Sequence, residues 1–304
     1  MASETPVYIG IDAGGSKTEL MAAHVQPDER LNLFGSSGNP ARVGFDGCID
    51  VLSELILQAT ERLAAEHVVS VCAGIAGAGR ASDQMRIREG IVTELGDRAP
   101  DRLLITHDGD IALEAAFEGE SGIMVITGTG SVTLARTRAG EFLRAGGWGY
   151  LIGDEGSGYA LGAFGMRALA HAFDGGPRTA ISNLLAESRD VTTSEDLFEL
   201  VYHDRVPLQK FAPLVIRAAR KGDEIARRIV LDQTRSLARQ VRWLADRCSS
   251  VRPQLALLGG LTNEPYYYGS LSEALLEEFP GWLVMEPLNR PVVGAWRMAR
   301  AATL

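Results

Sequence analysis

The first 118 residues alternate short apolar runs with glycine-rich turns. Two apolar runs, VYIGID (7–12) and ELMAAHV (19–25), flank the turn AGGSK, which predicts a β-hairpin. Apolar positions recur at helical spacing over 45–67, which predicts a helix. Further strands are expected at 31–37, 68–79 and 102–108, and a helix follows the last of them. The order of hairpin, helix, strand, helix, strand and helix is typical of a mixed α/β domain.

The pattern restarts at residue 122. The segment GIMVITGTGSVTLART (122–137) is again an apolar run, a glycine turn and an apolar run. Sliding it without gaps over the opening segment places Thr127 on Asp12. Identical residues then coincide at Ile126, Gly130, Ser131 and Thr133. We interpret the match as an internal duplication, which predicts domains at 1–118 and 119–290.

The rest of the second half is richer in helices. A glycine-dense stretch at 146–165 predicts loops with special backbone geometry. Amphipathic helices are expected between 166 and 248, then the strand and turn LALLGGLT (255–262). A last strand is expected at 281–288, before a closing helix.

Length and charge narrow the function classes. At 304 residues the chain exceeds the ~250–300 residues that one core usually supports, so two domains are expected. The formal net charge is −9 without a run of Lys and Arg, so we expect no nucleic-acid partner. The N-terminus lacks a signal-peptide pattern, and no stretch reaches the ~18 apolar residues of a membrane span. We therefore expect no membrane partner.

The cysteines favour a reducing compartment. Cys48, Cys72 and Cys248 lie far apart and form no C-x-x-C pair. Structural disulfides and a cysteine-ligated cluster are therefore not expected. A cytoplasmic location fits this usage.

The turn at 13–17 has the composition of a phosphate-binding hairpin. It is not a P-loop, because Ser16 stands where the motif requires lysine, and GTGSVT and GAGRAS both lack the last glycine of a dinucleotide fingerprint. Its glycines would let backbone N–H groups approach an anion, with hydroxyls from Ser16 and Thr18 and charge from Lys17. Asp12 at the strand end suits Mg²⁺. The alternative is an ordinary hairpin turn, which the second hairpin and the Gly259-Gly260 pair disfavour.

Five segments together carry a family resemblance: IGIDAGGSKT, ITHDGDIALEAA, VITGTGSVTLA, GGWGYLIGDEGSGYALG and LALLGGLT. They resemble the N-acetylglucosamine kinase-like branch of the sugar kinase and actin ATPase superfamily, over essentially the whole chain. The resemblance implies an α/β fold of two ribonuclease-H-like domains with ATP and an amino sugar in the cleft between them. It also implies that a helix over 291–304 joins the first domain, and that the protein is a homodimer.

The resemblance implies an ATP-dependent kinase that phosphorylates the 6-hydroxyl of N-acetylglucosamine or glucosamine. Asp108 would be the catalytic base, since a carboxylate at a strand end can accept the proton of the sugar hydroxyl. Trp148 would either stack on the sugar or lie in the core. The residues implied to hold the sugar are Asn39, Asp108, Gly147, Trp148, Gly149 and Asp154.

The implied nucleotide site comprises both hairpins, the LLGGL segment and one helix. Asp12 would hold Mg²⁺ beside the phosphates. The residues implied to contact Mg²⁺-ATP are Asp12, Gly14, Gly15, Ser16, Lys17, Thr18, Gly128, Thr129, Gly130, Ser131, Ala219, Gly259 and Gly260.

Several polar residues near these segments have simpler explanations. Asp110 and Glu114 are expected as acids that complement the N-terminus of a helix. Glu155 and Ser157 are expected to cap a helix. His107 receives no role, because neighbours on a strand point to opposite faces. The loop AGIAGAGR (73–80) either lines the sugar site or is a plain strand-to-helix turn.

Other functions with the same fold stay open. Activator ATPases of radical dehydratases and of benzoyl-CoA reductase share these loops, and they hold a 4Fe–4S cluster between subunits through cysteines. Cys72 lies just before the loop AGIAGAG, but Cys48 and Cys248 show no ligand spacing. A kinase for N-acetylmuramic acid or glucose is a further alternative. A sugar sensor without activity is disfavoured, because Asp12 and Asp108 are both present.

Overall fold

A computed structural model describes residues 6–24, 30–65 and 67–303. The predicted strand end at Val25 and the predicted helix residue Glu66 lie outside the described residues. Among the described residues, none of the helices combines the length and hydropathy that crossing a membrane requires.

The chain divides into two compact units. Unit 1 comprises residues 1–120 and 287–304, and unit 2 comprises residues 121–286. The domain boundaries at 118 and 290 inferred from the sequence stay predictions.

Unit 1 begins with a hairpin, after which helices and strands alternate. Its strands are β1 Val7–Ala13, β2 Thr18–Ala23, β3 Arg30–Gly35, β4 Val68–Ile75 and β5 Arg102–His107. The helices between and after them are α1 Pro40–Arg62, α2 Ala81–Leu95 and α3 Asp108–Phe117, with a 3₁₀ turn at Gly96–Arg98. The predicted order of elements is confirmed.

Unit 2 repeats this plan with a helical insertion. Its strands are β6 Gly122–Thr127, β7 Ser131–Arg136, β8 Phe142–Gly146, β9 Gln254–Leu258 and β10 Leu283–Met285. Its helices are α4 Gly158–Phe173, α5 Ile181–Arg189, α6 Ser194–Phe198, α7 Ala212–Arg220, α8 Glu224–Arg247 and α9 Pro265–Glu278. Short 3₁₀ or π segments lie at Glu199–His203, Leu208–Phe211 and Gly260–Asn263. The last helix of the chain, α10 Pro291–Ala301, belongs to unit 1.

Within the described residues, the two sheets have the same topology. The sheet of unit 1 has the order β3-β2-β1-β4-β5, and the sheet of unit 2 has the order β8-β7-β6-β9-β10. In each, the first three strands form an antiparallel meander and the last two run parallel to the first. The predicted repeat is confirmed at the level of strand order.

The gapless register of that repeat is wrong. The last residue pair of the first hairpin is Ala13 with Thr18, whereas that of the second is Thr127 with Ser131. Four residues therefore close the first loop and three close the second. Because the loops differ in length, Thr127 corresponds to Ala13 rather than to Asp12, and Ser131 corresponds to Thr18.

The glycine-dense stretch is only partly loop, because α4 begins at Gly158. A β-carbon on Gly162 would lie 1.8 Å from the carbonyl oxygen of Leu208, and one on Gly165 would lie 2.4 Å from Cγ2 of Val215. These glycines serve close packing inside a helix. The prediction of a loop over 158–165 is therefore wrong.

The two faces of β1 pack against different helices. Ile9 and Ile11 join the core beneath α1 and α2, and Tyr8 joins the cluster formed with α3 and α10. Since side chains alternate along a strand, the even positions, including Gly10 and Asp12, face the α3 and α10 side. This alternation turns Asp12 toward the helix that begins with Asp108.

Candidate active site

Two carboxylates lie at neighbouring strand ends in unit 1. Asp12 is the second-last residue of β1, and Asp108 follows β5 directly as the first residue of α3. β1, β4 and β5 run parallel and adjacent, so their carboxyl ends share one edge of the sheet. Burial raises the pKa of Asp12 to about 6, with further contributions from the charges of Asp108 and Glu19, while Lys17 lowers it. This edge therefore concentrates negative charge and favours a cation.

Glu19 is already neutralised within the protein. Its side chain is buried and forms an ion pair with Arg290, just before α10. Sequence reasoning missed this pair, since 271 positions separate its members. Asp12 and Asp108 are thus the carboxylates of this edge that remain for chemistry.

Backbone and side-chain hydrogen bonds hold the first hairpin, while its tip is exposed. The Gly14 N–H donates to the Lys17 carbonyl at 2.9 Å, and the Ser37 hydroxyl donates to the Gly14 carbonyl at 3.2 Å. Nη1 of Arg42 donates to the Gly15 carbonyl at 2.6 Å. Gly15, Ser16 and Lys17 are solvent-exposed. Sequence reasoning missed Ser37 and Arg42, which reach the hairpin only through tertiary packing.

The hydroxyls of Thr18 and Ser131 have equivalent structural roles. Thr18 Oγ1 donates to the Ser36 carbonyl at 2.8 Å, and Ser131 Oγ donates to the Glu155 carbonyl at 2.8 Å. Both side chains are buried. The predicted role of the Thr18 hydroxyl as a phosphate donor is corrected, because this hydroxyl donates to a backbone carbonyl instead. The predicted nucleotide contact of Ser131 stays a prediction.

Asn39 lies beside the first hairpin at the start of α1. Its Oδ1 accepts the Ala41 N–H at 2.9 Å, which caps the helix. A β-carbon on Gly15 would lie 3.9 Å from Asn39 Nδ2, so the amide nitrogen faces the hairpin. The sequence placed Asn39 in the sugar site, and its position beside the hairpin leaves that role a prediction.

The loop at 76–80 packs on the same residues. Gly77 has a φ of +87°, and a β-carbon there would lie 2.7 Å from Asn39 Oδ1, so only glycine fits. A β-carbon on Gly79 would lie 3.5 Å from Cδ2 of His107. The loop thus packs against Asn39 and His107, and both alternatives for it, a lining of the sugar site or a plain turn, stay open.

His107 contacts the predicted base, although no role was predicted for it. Its Nδ1 accepts the Gly109 N–H at 3.0 Å, which caps α3, and the same atom lies 3.0 Å from Asp108 Oδ1. Nδ1 without a proton can accept the hydrogen bond from the Gly109 N–H, whereas a protonated Nδ1 donates to the Asp108 carboxylate. The argument from opposite strand faces is wrong here, because Asp108 is helical.

The other acids of α3 have structural roles. Asp110 accepts a hydrogen bond from the Thr106 hydroxyl and lies in the first helical turn, as expected. Glu114 is one turn further along, buried and paired with Arg297 Nε at 3.1 Å. The expectation that Glu114 complements the helix N-terminus is therefore wrong.

The second hairpin lies against the start of α4. The Gly158 N–H donates to the Gly128 carbonyl at 2.8 Å, and the Tyr159 N–H donates to the Thr129 carbonyl at 3.1 Å. A β-carbon on Gly128 would lie 3.8 Å from the backbone nitrogen of Gly260. The fold of unit 2 thus brings this hairpin and the LLGGL turn together.

Gly259 is required at that turn. Its φ is +119°, and a β-carbon on it would lie 2.2 Å from the Thr127 carbonyl oxygen. Behind it, the Thr127 hydroxyl and the buried Tyr267 hydroxyl lie 3.1 Å apart and both donate to the Gly156 carbonyl. Burial raises the pKa of Tyr267. Sequence reasoning missed this network, and no local motif indicates it.

Asp154 also belongs to the surroundings of the second hairpin. It has a φ of +63° and is 8% exposed. A β-carbon on Gly130 would lie 2.6 Å from Asp154 Oδ2. Its carboxylate therefore lies against Gly130, and its predicted contact with the sugar stays a prediction.

Trp148 lies on the surface of unit 2. It is 71% exposed, and the Arg144 guanidinium carbon lies 6.0 Å from the ring centroid. Gly147 and Gly149 on either side have φ values of +67° and +86°. The alternative that Trp148 belongs to the core is therefore wrong.

The predicted roles of three further residues of unit 2 can be compared with their contacts. Ser157 caps α4, since its Oγ accepts the Ala160 N–H at 3.1 Å, and that prediction is confirmed. Glu155 instead accepts from Gln240 Nε2 at 3.3 Å. Ala219 is fully buried in the core. Its predicted contact with the nucleotide stays a prediction.

The cysteines have the properties of core residues. Burial raises the pKa of Cys48 to about 12. Burial, with smaller contributions from Asp110 and Glu114, raises the pKa of Cys72 to about 12. Metal ligation requires the thiolate, which these environments disfavour. The buried position of Cys72 argues against a cluster shared between subunits.

Each unit has the same α/β sheet with a glycine hairpin after its first strand, which is the plan of the two-domain actin- and hexokinase-like kinases. The chain belongs to the BadF/BadG/BcrA/BcrD ATPase family, which matches residues 9–299. It is 31% identical over 302 residues to the N-acetylmuramic acid/N-acetylglucosamine kinase of Clostridium acetobutylicum, covering 96% of this chain and 98% of that protein. It is 28% identical over 312 residues to the N-acetyl-D-glucosamine kinase of Dictyostelium discoideum, covering 96% and 97%.

Solved structures share the fold. A Chromobacterium violaceum protein proposed to be an N-acetylglucosamine kinase has a TM-score of 0.71 at 24% identity, covering 96% of this chain and 98% of that one. A glucokinase of the ROK family from Streptomyces griseus, in complex with glucose and AMPPNP, has a TM-score of 0.59 at 16% identity, covering 97% and 99%. At these identities the likeness concerns the fold alone.

Proposed function

We propose that this protein is an ATP-dependent amino-sugar kinase, which transfers the γ-phosphoryl group of ATP to the 6-hydroxyl of N-acetylglucosamine or glucosamine. The observation that carries the proposal is the pair of carboxylates, Asp12 and Asp108, at one sheet edge of unit 1. Two relatives that are named as kinases of N-acetylglucosamine support the substrate class.

In the proposed reaction, the Asp108 carboxylate accepts the proton of the sugar hydroxyl as its oxygen attacks the γ-phosphorus. Asn39 and Asp154 contribute polar groups for the sugar. Backbone N–H groups at the tip of the first hairpin bind phosphate oxygens, and the second hairpin with the Gly259-Gly260 turn is a second nucleotide-binding element, as the family resemblance implies. Most of the rate enhancement comes from positioning and charge neutralisation.

The residues around Asp12 fit a magnesium ion. Among the described residues there is no group of three or more His, Cys, Asp or Glu that could hold a metal. Mg²⁺ in phosphoryl-transfer sites needs only one or two carboxylates, because waters and substrate phosphates supply its other ligands. The pKa of Asp12 is raised by burial and by the neighbouring charges of Asp108 and Glu19. A bound cation would stabilise the ionised carboxylate of Asp12. Mg²⁺ would neutralise phosphate charge there.

A stability measurement without ATP tests this role of Asp12. The native state keeps the Asp12 proton up to about pH 6, whereas the unfolded chain releases it near 3.8. Raising the pH through that window therefore destabilises the native state. In EDTA, Asp12→Asn should be more stable than the wild type above about pH 6, and the difference should vanish below pH 4.

Mg²⁺ supplies the second part of this test. Millimolar Mg²⁺ should raise the unfolding temperature of the wild type at pH 7.5 and leave that of Asp12→Asn unchanged, since the variant lacks the ligand. Equal Mg²⁺ shifts for both proteins would contradict Asp12 as the metal ligand.

The activity is tested by ADP release with Mg²⁺-ATP across N-acetylglucosamine, glucosamine, N-acetylmuramic acid and glucose. We expect the highest kcat/KM with N-acetylglucosamine or glucosamine, and phosphorus NMR should place the phosphate on the 6-oxygen. ADP release that no sugar stimulates would refute the kinase. The proposal also includes a homodimer, as the family resemblance implies, and a cytoplasmic location, which fits the cysteine usage. Light scattering on the purified protein tests the dimer.

A further inference from the structure

The lysine predicted to serve the first hairpin lies over an aromatic ring. Nζ of Lys17 is 5.8 Å from the ring centroid of Phe34 on β3. A transferring phosphoryl group spreads negative charge over three oxygens, and enzymes usually meet it with a cation besides Mg²⁺. Lys17 is exposed on the hairpin, and the fold brings a second cation to the same place.

Arg42 is the arginine that the structure brings to this hairpin. Its Nη1 donates to the Gly15 carbonyl at 2.6 Å, and the side chain is otherwise exposed. A guanidinium has five N–H donors in a planar fork, so one bond to a carbonyl leaves others for an anion. Arg42 is thus anchored at the residue whose backbone is predicted to bind phosphate.

The backbone around Arg42 fixes this position. Asn39 caps the turn that carries it, and Gly44 with a φ of +76° separates that turn from the rest of α1. Asn39, the residue predicted to hold the sugar, lies three positions before Arg42 in the same turn, and its amide nitrogen also faces Gly15. Arg42 is therefore close in the fold to both the predicted phosphate-binding backbone and the predicted sugar ligand.

We propose that Arg42 is a catalytic residue that binds the oxygens of the phosphoryl group during its transfer. This inference rests on the proposed kinase activity. In the step it assists, the sugar 6-oxygen forms a bond to the γ-phosphorus while the bond to the β,γ-bridging oxygen breaks. The electron pair leaves with ADP and the hydroxyl proton passes to Asp108. The guanidinium is not consumed and stabilises the charge on the equatorial oxygens.

Three variants test the proposal: Arg42→Met, Arg42→Lys and, as a control on the same helix, Arg62→Met. Arg62 is exposed in the last turn of α1, far along the sequence from the hairpin. With N-acetylglucosamine, Arg42→Met should lose about 10²-fold in kcat, in the range of one removed transition-state contact. Arg42→Lys should recover part of the loss, because it keeps the charge without the fork. Arg62→Met should match the wild type.

A binding measurement distinguishes a catalytic role of Arg42 from a role that only stabilises the hairpin. Calorimetry compares ADP with ADP plus aluminium fluoride, a mimic of the transferring group, each with Mg²⁺ and N-acetylglucosamine. Arg42→Met should lose most of its affinity for the fluoride complex and keep its affinity for ADP. Equal losses for both ligands would mean that Arg42 only braces the hairpin, and would overturn the proposal.

Comparing two sugars distinguishes the two anionic groups available to Arg42, the phosphoryl group and a sugar carboxylate. N-acetylmuramic acid carries a carboxylate, whereas N-acetylglucosamine is neutral. If Arg42→Met loses kcat only with N-acetylmuramic acid, Arg42 binds the sugar carboxylate and the phosphoryl role is overturned. A kcat of Arg42→Met with N-acetylglucosamine within about threefold of the wild type would also overturn that role. If the wild type phosphorylates no sugar, the proposed function itself fails and this inference fails with it.

Discussion

Replacing Asp108 by asparagine should lower kcat by about 10³-fold, within the range of a removed general base. Asparagine keeps the size and the polarity of the side chain, but its amide cannot accept the proton of the sugar hydroxyl. ATP binding should stay within about threefold of the wild type, because the residues expected to bind phosphate lie on other elements. Single-turnover rates and calorimetric titration with an ATP analogue measure the two effects.

Asp110 provides the matched control. It lies in the same first turn of α3, but its carboxylate accepts from the Thr106 hydroxyl. Asp110→Asn removes the same charge from the same turn and should retain kcat within about fivefold. An Asp108→Asn variant that keeps more than a tenth of the wild-type kcat would contradict Asp108 as the base.

Replacing Gly294 by alanine should destabilise the protein by about 3 kcal/mol, at the upper end of overpacking effects. A β-carbon on Gly294 would lie 2.0 Å from the Ile111 carbonyl oxygen and 2.7 Å from the Ala115 nitrogen. Both are backbone atoms of α3, so α10 can accept the methyl group only by moving away from that helix. The expected fall in the unfolding temperature is roughly 6–12 °C.

Gly269→Ala is the control for this substitution. Gly269 lies inside α9, and among the described residues no atom beyond its chain neighbours and the adjacent helix backbone lies within 4 Å of the position that its β-carbon would take. Alanine there should be neutral or stabilise the protein by up to about 1 kcal/mol through helix propensity. Scanning calorimetry compares the two variants, and a Gly294→Ala protein that melts within about 2 °C of the wild type would refute the packing argument.

Local patterns were sufficient for most elements of the fold. Alternation and helical spacing are properties of the backbone geometry itself, so they predicted the hairpins, the strands that follow them and α3. They failed over 158–165, where glycines were interpreted as loop. Gly162 and Gly165 in fact allow α4 to approach its neighbours, and a contact with Leu208 cannot be seen in a local window.

Local patterns likewise predicted some residues of the candidate site and missed others. Asp12 and Asp108 were predicted, because each sits directly at the end of an apolar strand. The role of His107 was missed because a helix starts one residue earlier than the strand pattern suggested, which turns neighbours into a capping pair. The Thr18 hydroxyl was assigned to phosphate from its place in the glycine hairpin, whereas in the fold this hydroxyl donates to the Ser36 carbonyl.

The sequence by itself determined the α/β class, the repeat of a glycine hairpin and the acids at the strand ends, since these depend on short-range periodicity and turn chemistry. Only the tertiary structure decided the register of the repeat, the burial of Ala219 and which cation reaches the first hairpin. Arg42 meets Gly15 across 27 positions of sequence. Such a contact depends on how α1 packs against the sheet, and packing is a property of the whole unit rather than of any segment.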